Sequence, residues 1–221
     1  MPRFLPFAAL RYADTDRLDT LIAPPYDVLS DADLDHYLSL DEHNITHVDV
    51  PRGGEDRYQG AAEVLRDWQQ QGVLVADDEP SFTLYRLSFT DETGGQREIA
   101  GVLGGLEVVD TGAGGVLPHE RTTPKASTDR LDLTRATQSN LSPVWGLSLT
   151  PGLAALLAEP GELVGEVTQD GVRHRVERVT DPDRIAAISA AVGGDEVMIA
   201  GGGRRGGVSR ADGDGVGAGS G

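Results

Sequence analysis

The stretch Pro118-His119-Glu120-Arg121-Thr122-Thr123-Pro124-Lys125, followed by Asp129-Arg130, gathers an imidazole, a carboxylate, cations and two hydroxyls. Such a loop, leading into a helix, can bind an anion, position a metal or move a proton. A mixed-charge surface loop has the same composition. Lys125 is the single lysine among 19 basic residues. A compact ammonium with three donors suits a phosphate or a reacting oxygen, although a coding preference for arginine also leaves a lone survivor by chance.

Three further segments carry chemistry. In Ala23-Pro24-Pro25-Tyr26-Asp27-Val28 two prolines stiffen an extended path and withhold their N–H groups. The segment is either a packed edge or a rigid mount that presents Tyr26 and Asp27 to a pocket. Asn140-Leu141-Ser142-Pro143 leaves a helix and enters a strand, where Asn140 suits a left-handed C-cap. Val197–Ala200 is followed by Gly201-Gly202-Gly203-Arg204-Arg205, a strand running into a glycine-rich turn with arginines. Backbone amides and guanidinium groups cradle phosphate in such turns, but no Walker pattern or dinucleotide fingerprint is present. His43 and His47 are four residues apart, and the β-branched neighbours predict extended chain there. No metal site is expected.

These segments need elements to hold them. The spacing predicts helices over about 30–40, 55–71, 128–139, 152–158 and 181–192, with Ser30 and Asp181 as N-caps and Pro151 and Pro182 opening their helices. Alternation predicts strands over 82–89, 98–103, 106–109, 144–149, 163–168, 172–179 and 197–200. Helices and strands interleave and several strands are joined by tight turns. The fold class is therefore α/β to α+β, a mixed sheet with flanking helices. Residues 1–200 read as one globular domain. Residues 201–221 are glycine-rich and are expected to be disordered.

Composition excludes several classes. There is no cysteine, hence no disulfide scaffold, thiol nucleophile or cysteine-ligated metal. A net charge of −17 repels nucleic acid and anionic membranes. No stretch approaches the ~20 apolar residues that span a bilayer, and no signal peptide is evident. A soluble, cytoplasmic protein is the expectation.

Taken in order, these motifs resemble one bacterial family, domain of unknown function 1015. Its "PF.alR" start resembles Pro6–Arg11, its "APPYDV" segment Ala23–Val28, and its "pHE.T…K…DRl" loop Pro118 to Leu131. Its "N.sPi" element resembles Asn140 to Val144. Its "ADGHHRYe" motif aligns with Ala200–Gly207, where only Ala200, Gly202 and Arg205 match. Family members continue well beyond this point, so the chain is expected to be an N-terminal portion with an unbuilt helix and an exposed apolar face.

The resemblance implies a ParB/sulfiredoxin-like fold, a superfamily that includes nucleotide-binding partition proteins, sulfiredoxin and a free-serine kinase. It implies a phosphate- or nucleotide-binding role and phosphoryl transfer on a small metabolite such as serine or phosphoserine, with a nucleotide and Mg²⁺ as cofactors. In that reading Gly202, Arg205 and Arg130 hold phosphate. Lys125 neutralises the transferring group, and His119 or Glu120 is the general base. Tyr26, Asp27, Thr122 and Asn140 contact substrate. A non-enzymatic nucleotide sensor or adaptor, and an inactive fragment, are the alternatives.

Overall fold

The structure, a computed structural model, describes residues 1–110, 115–117 and 124–201, the backbone alone for 124–128 and 201. The chain begins with β1 (Phe4–Leu5), β2 (Leu10–Tyr12), α1 (Leu18–Leu21), α2 (Asp31–Leu40), α3 (Thr46–Asp49) and α4 (Arg57–Gln70). It continues through β3 (Leu74–Ala76), β4 (Phe82–Thr90), β5 (Gln96–Leu103), β6 (Gly105–Leu106), β7 (Val116–Leu117) and α5 (Pro124–Thr137). The last elements are β8 (Trp145–Ser148), α6 (Leu153–Ala158), β9 (Glu162–Gln169), β10 (Val172–Val179), α7 (Pro182–Gly193) and β11 (Val197–Gly201). The architecture is mixed α/β. None of the described helices is long and apolar enough to cross a membrane.

Strands β5-β4-β10-β9 form an antiparallel sheet, and β7-β11-β8 a smaller mixed one in which β11 runs parallel to β7 and antiparallel to β8. Alternation along β4 turns Phe82 and Leu84 towards α6 and α7. There they join Phe4, Leu157, Val179, Ile188, Val192 and Val197 in one core. The Phe4 and Phe82 rings stack at 5.0 Å. A Cβ on Gly104 would lie 2.5 Å from Phe4 and 2.6 Å from Phe82, so only glycine lets the chain pass these rings. A second core joins Val48, Ala61, Leu65, Trp68, Leu74 and Leu133, from α3, α4, β3 and α5. The apolar stripe along α4 supplies most of it.

An ionic lane crosses the first core. Arg86 on β4 and Glu177 on β10 face the same side, and Glu177 is 1% exposed. Arg86 Nε donates to Glu177 Oε2 at 3.1 Å, and its Nη2 donates to the carbonyls of Leu157 (2.6 Å) and Glu159 (3.0 Å). The guanidinium thus satisfies the carbonyls that α6 leaves open at its C-terminus. Arg184 on α7 reinforces it by donating to Leu156 and Pro160. Arg175 Nε lies 2.6 Å from Glu177 Oε1, an ion pair whose alignment falls short of a hydrogen bond.

Several expectations are corrected locally. Pro151 does not open α6. Gly152, at φ 87°, is the N-cap, because the turn needs a left-handed residue that proline cannot supply. The strand expected over 106–109 stops at Leu106, and Glu107 instead accepts from the Arg3 amide and guanidinium. The segment holding His47 is helical, not extended. The Asn44 side chain accepts from the Thr46 amide and hydroxyl, and this local bond outweighs β-branched propensity. The left-handed residue after α5 is Gln138 (φ 52°), not Asn140, because the helix ends at Thr137. Helix α5 also begins earlier than the spacing suggests. Pro124 stands at its start, so Lys125 belongs to the first turn rather than to the preceding loop.

The Ser30 and Asp181 caps are as expected, Ser30 forming a reciprocal box with Asp33. On β8 and beyond it, Trp145, Leu147 and Leu149 alternate and are exposed, as is Leu117 on β7.

Candidate functional site

The site is built around the first half of α5. Leu133 is pulled into the second core, and Arg130, three residues earlier on the same face, is carried inward with it. Its side chain is 9% exposed. Arg130 Nη1 donates to the Asp49 carbonyl (2.8 Å) and to Asp49 Oδ1 (3.1 Å). Its Nε and Nη2 donate to Asp129 Oδ2 at 3.1 and 3.0 Å. The Arg130 guanidinium carbon lies over the Tyr26 ring, 4.1 Å from its centre.

The network extends outward on both sides. The Tyr58 hydroxyl donates to Asp129 Oδ1 at 2.6 Å, and Arg57 donates to the Tyr58 hydroxyl while lying over its ring. Ser142 Oγ donates to Asp49 Oδ1 at 3.4 Å. Five separated parts of the chain therefore meet: the Tyr26 turn, the end of α3, the start of α4, the first half of α5 and the segment entering β8. Burial pushes the Asp129 carboxyl up, but the Tyr58 hydroxyl and Arg130 outweigh it and hold the group below its ordinary value. Tyr58 is raised by burial and by the Asp129 charge.

Each part is locally secured. Tyr26 and Asp27 lie in the turn closed by the Val28 amide donating to the Pro25 carbonyl. Upstream, the Asn44 side chain, fully buried, donates to the carbonyls of Thr20 (2.7 Å) and Ile22 (3.1 Å). The Tyr12 hydroxyl donates to the His43 carbonyl at 2.7 Å. The stiff Ala23–Val28 segment is thus hung from a fixed point.

The three-stranded sheet sets the ends of β7 and β11 and the start of β8 at one end. In the parallel β7/β11 pair Leu117 aligns with Met198, so the chain leaves both strands in the same direction. In the antiparallel β11/β8 pair Gly201 aligns with Trp145, so the chain arrives in β8 at that same end. Pro118 follows Leu117, Gly202 follows Gly201, and Ser142-Pro143 precede β8. The strand ends are staggered by three residues of β11, roughly 10 Å of extended chain.

The sequence-derived candidates therefore divide. His119, Glu120, Thr122, Gly202 and Arg205 lie outside the described residues, as does the side chain of Lys125. Tyr26 and Arg130 are brought into contact. Asp27 is exposed beside Tyr26, and Asn140 is exposed two residues before Ser142. Sequence reasoning missed Asp49, Arg57 and Tyr58. Tyr58 fitted the core stripe of α4, and a lone carboxylate after His47-Val48 gave no signal. Among the described residues no group of His, Asp or Glu is arranged to hold a metal. His43 packs edge-on against Trp68, and His47 lies 3.3 Å from the Asp41 carbonyl.

Protonation reaches this network and the ionic lane together. Burial raises Asp77, but the Arg11 guanidinium at 2.8 Å outweighs it. Burial also raises Glu177, but the Gly161 amide and Arg86 outweigh it. With Asp129, these carboxyls are depressed in the folded chain, so the unfolded chain takes up more protons as acid is added. Their stabilisation is complete above the unfolded values of 3.8 for Asp and 4.5 for Glu and is lost as pH falls through the folded values. Melting temperature is expected to slip slightly from pH 7 to 5, because burial holds the His174 imidazole below its ordinary 6.5, and to fall steadily below about pH 4.5. A melting temperature that holds or rises down to pH 3 contradicts this linkage.

Fold and site define a mixed α/β protein in which Tyr26, Asp49, Tyr58, Arg130 and Ser142, from separated parts of the chain, gather around α5. The chain matches the DUF1015 family, a protein family of unknown function, over residues 4–205, and it belongs to that family. No curated protein and no solved structure matches it.

Proposed function

We propose that the chain binds a phosphate group, free or as part of a nucleotide, at the end of the sheet where the chain leaves β7 and β11, beside the first turn of α5. The observation that supports this most is the convergence itself. Tyr26, Arg130 and Ser142 have no sequence reason to be neighbours, yet they join one network, and the described ends of β7 and β11 and the start of β8 lie at one end of the small sheet. The carboxyl ends of parallel strands and the N-terminus of a helix are where open α/β folds take anions.

Charge supports a division of labour. In the described network Arg57 and Arg130 are balanced by Asp49 and Asp129. The cations for an anionic ligand are then those of the adjoining segments, Arg121, Lys125, Arg204 and Arg205. In the enzymatic form of this reading Lys125 neutralises a transferring phosphoryl group, His119 or Glu120 takes a proton from a hydroxyl, and Gly202 and Arg205 hold phosphate. Thr122 and Asn140 complete the substrate contacts, and a small metabolite such as serine or phosphoserine is the substrate. Asp49 and Asp129 are each held by Arg130. Asp27 is the described carboxylate that would orient substrate or meet a nucleotide's Mg²⁺. The reading carries with it a ParB/sulfiredoxin-like fold.

A non-enzymatic nucleotide sensor is the second reading. What favours it is that the titratable groups of the described network are engaged with one another, an arrangement suited to fixing structure rather than to moving a proton. Calorimetric titration of the full chain with inorganic phosphate and with ATP plus Mg²⁺ tests binding, and a product assay on serine and phosphoserine separates the two readings. Lys125→Ala is expected to weaken binding about tenfold or more while leaving the melt unchanged. Binding without turnover supports the sensor. Absence of binding to either ligand overturns the proposal.

A further inference from the structure

We propose that Arg130 is a positioning residue: it clamps the Tyr26 turn to α5 and acts on the anion site through Tyr26, without contacting the anion itself. The inference rests on the phosphate-binding reading and assigns Arg130 a different role from the anion ligand that its motif suggests.

The geometry of the guanidinium carries the argument. Each of its three nitrogens donates to Asp49 or Asp129, and its central carbon sits over the Tyr26 ring. The side chain is 9% exposed, so little of it can meet a ligand. These contacts require a planar fork with a stackable face, which lysine's ammonium lacks. Between the Ile22 carbonyl, held by Asn44, and the Ser30 cap, the segment has its own Val28–Pro25 turn bond and two prolines that withhold donors. The Tyr26–Arg130 stack fastens the middle of that span to α5. Asp27 is the next residue, so the place of this exposed carboxylate is set by the same stack. Through Asp49, Arg130 also reaches Ser142 and hence the segment entering β8.

The chain has five tyrosines, so uniform 3-fluorotyrosine labelling gives five fluorine resonances, and Tyr26→Phe assigns that of Tyr26. In Arg130→Lys the Tyr26 resonance is expected to move, with Tyr58 following through Asp129, while those of Tyr12, Tyr37 and Tyr85 stay. General damage to the fold would move all five. Affinity for inorganic phosphate is then measured in Arg130→Lys, in Tyr26→Leu and in the double variant. Each single change is expected to weaken binding about tenfold, and the double no further, because both break one pathway. Losses that multiply in the double variant mean that Arg130 meets the anion directly and overturn the proposal. An unmoved Tyr26 resonance also overturns it. If the wild-type chain binds neither phosphate nor Mg²⁺-ATP, the phosphate reading falls, while a moved Tyr26 resonance still supports the clamp.

Discussion

Methionine in place of Arg86 is expected to destabilise the chain by about 3–5 kcal/mol, the usual cost of stranding one member of a buried ion pair. Arg86 serves two demanding groups at once. Its Nε neutralises Glu177, which is 1% exposed, and its Nη2 closes the carbonyls at the end of α6. Without the guanidinium, Glu177 keeps the Gly161 amide at 2.9 Å and the poorly aligned Arg175. The Leu157 carbonyl would be left among Phe82, Leu84 and Ile188 without its donor. Urea denaturation at pH 7 reads the effect. In an Arg86→Met, Glu177→Leu double variant part of the loss should return, since an apolar pair of similar volume needs no partner. A loss under about 1 kcal/mol for the single variant would show that the lane is not needed for stability.

The second large effect is expected at Asp49. Asp49→Leu removes the carboxylate that Arg130 Nη1 and Ser142 share, leaving Arg130 with Asp129 and the Asp49 carbonyl. A cost of about 2–3 kcal/mol is expected, below that for Arg86 because Asp129 still balances the charge. The damage should be felt in the second core, where Val48 and Leu133 flank the pair, and phosphate affinity should fall with it. Asp49→Asn retains an acceptor oxygen and should lose less of both. Thermal melts and phosphate titrations on the same samples decide the matter. An Asp49→Leu chain that melts with the wild type removes Asp49 from the framework.

How much of this was legible in the residues depends on how local the cause is. Ser30 and Asp181 announced their helices because a cap is a three-residue affair. The hairpin of β9 and β10 announced itself by alternation on either side of Asp170-Gly171. The partners of Tyr26 were not legible. Nothing near position 26 says that residue 130 will lie over its ring, and nothing near Asp49 says that it will face α5. The chemistry-bearing segments stood out by composition, but the pairing of β7 with β11, strands some eighty residues apart, did not. The errors were local as well. Asn44 overrode a β-branched run by bonding to Thr46, and Gly152 took the left-handed position that Pro151 could not fill.

The order of strands in the small sheet sets a timetable for its assembly. β11 is last in sequence among the described strands, yet it lies between β7 and β8, which do not pair with each other. During synthesis both flanking strands must wait, with edges open, until Val197–Gly201 has emerged from the ribosome and slotted between them. The described partners of Arg130 all lie before β8, so the clamp on α5 can form earlier. The pairing of β7, β11 and β8 is therefore completed in a single late step of translation, and a chain stalled before that step would leave the small sheet open.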